Sequence, residues 1–63
     1  MFGEYLYILK VYEHDETVEY KYGNLRHAVE HYIEEIAKRN SATLFRSKNG
    51  VLERYHDRTN TWG

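Results

Sequence analysis

From Glu4 to Glu13 (EYLYILKVYE) the chain is rich in β-branched and aromatic residues. After the polar group His14, Asp15 and Glu16, the segment Thr17 to Tyr22 (TVEYKY) alternates polar with apolar at every step. That pattern predicts a β-hairpin. Val18, Tyr20 and Tyr22 fall on one face of the second strand, with Thr17, Glu19 and Lys21 on the other. A two-residue turn at Asp15 and Glu16 sets Val11 opposite Tyr20 and Leu9 opposite Tyr22, leaving Lys10 on the wetter side. The first strand is apolar on both faces, because Leu6, Ile8 and Tyr12 back onto Tyr7, Leu9 and Val11. A strand of that kind belongs inside a sheet, or beneath a cover, rather than at an edge with one wet face.

Gly23 and Asn24 break the alternation and supply a helix N-cap. Leu25, Ala28, Val29, Tyr32, Ile33 and Ile36 then recur at helical spacing and predict an amphipathic helix with Ile33 and Ile36 in the core. His27 and His31 fall on the expected solvent face. Lys38 and Arg39 suit the negative end of the helix dipole, and Asn40 suits a left-handed terminus. Glu34 with Lys38 and Glu35 with Arg39 are spaced as i,i+4 ion pairs, worth about 0.3 kcal/mol each.

Ala42 to Arg46 and Val51 to His56 read as two further strands around Ser47, Lys48, Asn49 and Gly50, with Asn-Gly as the turn signal. A type I′ turn puts Leu44 opposite Tyr55 and Arg46 opposite Glu53; a type I turn with a glycine bulge puts Phe45 opposite Glu53 and Thr43 opposite Tyr55. The first is preferred because it joins opposite charges. Residues 57–63 (DRTNTWG) have no periodicity and read as a tail. The expected fold class is therefore α+β: one ββαββ domain over residues 1–56, an antiparallel sheet with one helix packed on one face, followed by a C-terminal tail.

Length sharpens this reading. A chain of 63 residues without cysteine buries only about 60% of its unfolded surface and has no disulfide to hold it. Seven Tyr, two Phe and one Trp compensate, since each aromatic removes roughly 150 to 250 Å² from water. The absence of cysteine suits a cytoplasmic location. No apolar run is long enough for a membrane span, so no membrane partner is expected.

The near-neutral total charge hides a split: residues 1–37 carry eight acids and three bases, residues 38–63 six bases and two acids. Such a chain can hold its halves together, attract a second copy or offer its basic end to an anion.

Catalysis is not expected. There is no cysteine nucleophile, Ser41 and Ser47 lie in predicted connections without a histidine motif, and the four glycines form no phosphate loop. The i,i+4 pair His27 and His31 has zinc-ligand spacing but no second ligand pair, so neither a metal nor a cofactor is expected.

Two binding surfaces remain. The surplus apolar surface of the first strand (Leu6, Ile8 and Tyr12, or Tyr5 and Tyr7), with Trp62 as an aromatic anchor, points to a protein partner and to a homodimer. The alternative is a nucleic-acid surface in which Arg46, Lys48, Arg54 and Arg58 interleave with Phe45 and Tyr55; against it, the same arginines would also suit pairing with the acidic half. Chains of this size and composition are typical of accessory regulators and inhibitors, including those of phages and mobile elements.

Overall fold

In the computed structural model, which describes residues 4–63, the chain forms β1 (Leu6–Glu13), β2 (Glu16–Tyr22), α1 (Leu25–Ala37), β3 (Ser41–Lys48), β4 (Val51–His56) and β5 (Thr61–Trp62). Residues 1–3 of the expected domain lie outside the described residues. The strands make one antiparallel sheet in the order β2-β1-β3-β4-β5. The doubly apolar β1 is internal, between β2 and β3, as its two faces require.

The first hairpin keeps its expected faces but not its register. Its turn is His14-Asp15, with His14 in the left-handed region at φ 50°, so Val11 pairs with Val18 and Leu9 with Tyr20. The slip is two residues, and a two-residue slip leaves every side chain on its own face. In the second hairpin Arg46 lies opposite Glu53, with Asn49 at φ 53° and Gly50 at φ 80°. Both central residues are left-handed, which is the type I′ geometry. β3 is longer than expected because it pairs with β1 from Leu6↔Ser47 to Tyr12↔Ser41.

The expected tail is a correction. After a turn with Asn60 at φ 56°, the chain doubles back, Trp62 pairs with Tyr55, and Arg54 and Gly63 exchange backbone hydrogen bonds of 3.2 and 2.9 Å. The physical reason is Trp62. Its ring lies 5.0 Å from that of Tyr55 and 6.1 Å from that of Tyr7, so the strand covers aromatic surface of β1 and β4. Periodicity cannot register so short a strand.

The helix begins where Asn24 Oδ1 accepts hydrogen bonds from the backbone N–H groups of Arg26 and His27, at 2.8 and 3.3 Å. Its left-handed terminal residue is Arg39 (φ 65°) and not Asn40, whose side chain is needed elsewhere. Lys38 turns to Glu35 (3.8 Å), and the expected pairs of Glu34 with Lys38 and Glu35 with Arg39 do not form among the described residues.

The core lies between the helix and one sheet face: Tyr7, Leu9, Val11, Ala28 and Leu44 are buried. The helix is rotated relative to expectation. Ala28 and Glu35 face the sheet, while Leu25, Ile33 and Ile36 remain 43, 59 and 44% exposed. The stability consequences are therefore unequal: Leu44→Ala is expected to cost about 2 to 5 kcal/mol and Ile36→Ala less than about 1 kcal/mol. Urea denaturation of the two variants checks this order.

Candidate functional site

The rotation of the helix has a polar cause. Glu35 is only 6% exposed, and its carboxylate accepts hydrogen bonds from Asn40 Nδ2 at 2.8 Å and from His31 Nε2 at 3.0 Å. With Nε2–H of His31 donating to Glu35, its Nδ1 is left to accept a hydrogen bond from the Tyr22 hydroxyl. The imidazole also packs edge-on against Tyr20 and Tyr22. His31 is thus not on the solvent face. It is half-buried between the helix and β2, whereas His27 is exposed. The bonds from Asn40 first, then those from His31 and the charge of Lys38, hold the Glu35 carboxyl below its ordinary range in spite of burial. Burial, then the neighbouring Tyr20, Glu34 and Glu35, raises Tyr22 above 10. A phenol held protonated is a hydrogen-bond donor and a poor nucleophile. Among the described residues no group of three His, Cys, Asp or Glu side chains is placed to hold a metal ion.

Because polar side chains occupy the sheet-facing side of the helix next to β2, its aliphatic residues turn toward β4. Leu25, Val29, Ile33 and Ile36 form a row with about one residue per turn. Beside the row runs a groove of about 310 Å³ lined by Val29, Tyr32, Ile33, Ile36, Ala37, Tyr55 and Asp57. Tyr32 donates to Asp57 at 3.4 Å and meets the Tyr55 ring edge-on. Burial, then Asp57, raises the Tyr32 pKa. The periodicity of these aliphatics is plain in the sequence, but their exposure is not, since it depends on a buried Glu35.

The residues expected to bind a partner separate onto two surfaces. Leu6, Ile8 and Tyr12 share the sheet face away from the helix, with Leu6 and Tyr12 42 and 43% exposed. Ile8 pairs with Phe45 there. That face is broken by charge, for Lys10 lies over the Phe45 ring and also approaches Glu19 at 3.9 Å. Tyr5, Tyr7 and Trp62 are on the helix side of the sheet. Tyr7 is buried there, and the Arg46 guanidinium is stacked between Tyr5 and Trp62 at 4.3 and 4.6 Å from their ring centroids.

The residues of the nucleic-acid alternative divide in the same way. Arg46, Lys48 and Tyr55 share the helix side and Phe45 and Arg54 the opposite face. Arg46 does not pair with the acidic half of the chain; its Nε donates to Glu53 at 2.6 Å within its own hairpin. Arg54 and Arg58 make no ion pair among the described residues. With His56 they line a slot of about 360 Å³, where β4 leaves β3 beyond the Phe45↔Arg54 pair.

Comparison of the chain with models of protein families, with curated proteins and with solved structures finds no match. No helix of the described residues is long and apolar enough to cross a membrane.

Two titration limits follow. A carboxyl with a lowered folded pKa contributes stability above its unfolded value of about 4.3, and that contribution is lost as the pH falls through the folded pKa. Tyr22 and Tyr32, raised above 10, contribute stability at neutral pH that is lost as the pH rises past about 10. In pH-dependent thermal denaturation, Glu35→Gln is expected to make the acid limb shallower and to leave the alkaline limb in place. His31→Ala is expected to cost about 1 to 3 kcal/mol, because it leaves two polar partners unsatisfied.

Proposed function

We propose that this chain is a small non-catalytic protein-binding domain of the regulator or inhibitor type, cytoplasmic and homodimeric, whose partner-contact surface is the outer flank of α1. The observation that carries the reading is the row Leu25, Val29, Ile33 and Ile36, three of whose members are more than two-fifths exposed. A contiguous exposed aliphatic row on a helix marks an interaction surface, because covering it removes apolar area from water. The helix has 13 residues and so presents about 20 Å of nearly straight ridge. Tyr32 and Tyr55 wall one side of it. A ridge beside a groove suits the apolar side of an amphipathic helix from a partner, which would pack by interleaving its own ridge. The open sheet face is a weaker contact surface than its composition suggests, since Lys10 and Arg54 stand next to Phe45. A cytoplasmic location is supported by a sequence with no cysteine to oxidise.

The second reading, a nucleic-acid interface, keeps one observation in its favour: Arg54 and Arg58 make no ion pair among the described residues and lie beside a polar slot. Salt separates the two, because phosphate contacts weaken steeply as counterions are added and apolar contacts do not. Capture from nuclease-treated source-cell lysate is expected to persist at high salt, to be lost in Ile33→Glu/Ile36→Glu, and to be unchanged in Arg54→Glu/Arg58→Glu. Capture that is salt-sensitive, nuclease-sensitive and abolished by the arginine changes would install the second reading instead.

A further inference from the structure

Among the described residues the longest unpaired margin of the sheet is the outer edge of β2. The opposite margin is the two-residue β5. A two-residue turn closes a hairpin on a hydrogen-bonded pair, here Glu13↔Glu16. Glu16, Val18, Tyr20 and Tyr22 therefore direct their backbone N–H and C=O groups to β1. Those of Thr17, Glu19 and Lys21 point outward with no strand among the described residues to receive them. Such an edge is a template for another strand.

The pattern of side chains along the edge selects its partner. Thr17, Glu19 and Lys21 lie on the open sheet face, Val18, Tyr20 and Tyr22 on the helix face. A second β2 joined antiparallel must match open face with open face, which permits only registers that differ by two residues. Full end-to-end overlap sets Glu19 against Glu19 of the partner subunit, a repulsive pair. A slip of two residues in one direction leaves Lys21 outside the paired strand. The same slip in the other direction sets Tyr20 on the twofold axis, and Glu19 then faces Lys21 of the partner subunit at both ends. On the helix face this register brings Val18 against Tyr22 of the partner subunit. It also joins residues whose backbone groups point outward, Glu19 with Lys21 and Thr17 with Gly23.

We infer that two copies of this chain associate through their β2 edges in the register that centres on Tyr20, forming one continuous ten-stranded antiparallel sheet. The inference deepens the homodimeric part of the function proposed above and rests on it. Lys21 makes no ion pair among the described residues, and Glu19 approaches only Lys10, at 3.9 Å. Both charges are therefore available to a second copy. The aliphatic flank of α1 faces β4, away from β2, and stays open in the dimer. The assembly would thus carry two partner grooves. One strand edge buries less than the roughly 800 Å² per partner of a standard stable interface, so the dimer belongs in the micromolar range.

Sedimentation equilibrium of the full chain, with circular dichroism to confirm folding, tests this by charge exchange. Glu19→Lys puts lysine against lysine in this register, and Lys21→Glu puts glutamate against glutamate. Each is expected to weaken self-association about tenfold. An equimolar mixture of the two variants restores opposite charges at both ends and is expected to associate as tightly as the unaltered chain. Single variants that dimerise like the unaltered chain, or a mixture that does not recover, would overturn the edge register. If Ile33→Glu alone abolished the dimer, the copies would meet through the helix flank, and the edge would be discarded while the dimeric reading stood. An unaltered chain that stays monomeric at the highest concentrations would remove edge and dimer together; partner capture through the flank would still be read by its own variants.

Discussion

A carboxylate beneath the helix sets the arrangement of the molecule. Glu35 sits where an aliphatic residue would ordinarily pack, and it is tolerable there because Asn40 and His31 donate to it and Tyr22 completes the chain. Replacing a buried polar group of this kind with a hydrocarbon is often neutral or favourable to stability, so such a group is better understood as a choice of geometry. Here the geometry is a rotation. Satisfying Glu35 points one helix side at β2 and, by the pitch of the helix, carries Ile33 and Ile36 toward β4 and into solvent, with Val29 half-buried at the margin of the core.

The rotation leaves the core narrow, and the rest of the sheet makes up for it with rings and a cation. Leu9, Val11 and Leu44 are almost fully enclosed beneath the helix. Next to them, Tyr5 and Trp62 stack on the Arg46 guanidinium, Tyr7 lies opposite Arg46 on β1, and Glu53 holds the guanidinium at its edge. Arginine is suited to that position because a planar cation with a hydrocarbon stem packs as an aromatic does while its charge is met in the plane. The basic half of the chain thereby meets Arg46 within its own hairpin and Lys38 at Glu35 of the helix, and leaves Arg54 and Arg58 to face solvent.

Much of the fold was legible from residue order. Alternation placed the hairpins, Asn24 marked the helix start, Asn-Gly marked the second turn while the opposite charges of Arg46 and Glu53 chose its type I′ register, and the two apolar faces of β1 required neighbours on both sides. What escaped was information held between elements. The turn His14-Asp15 lacks glycine and depends on a histidine accepting a left-handed conformation, so the register slipped by one pleat while the faces survived. The helical stripe around Ile33 and Ile36 predicted a buried face, because hydrophobicity alone cannot register that His31, Glu35 and Asn40 satisfy one another across a turn and a cap. Trp62, alone among polar neighbours, gave no period from which to infer β5. The division of the candidate contact residues between two faces follows from pairing registers that only the folded sheet reveals.

The strand order has a kinetic side. β1 with β2, β3 with β4, and β4 with β5 are each joined to their neighbours in the chain by short turns, and such hairpins close on roughly microsecond timescales. Only β1 with β3 must be brought together across the whole of β2 and α1. Loop-closure entropy therefore concentrates in a single joint, and the helix that spans it is also the element that covers it. Folding of this domain should be governed by that docking event, with the hairpins as fast pre-equilibria on either side.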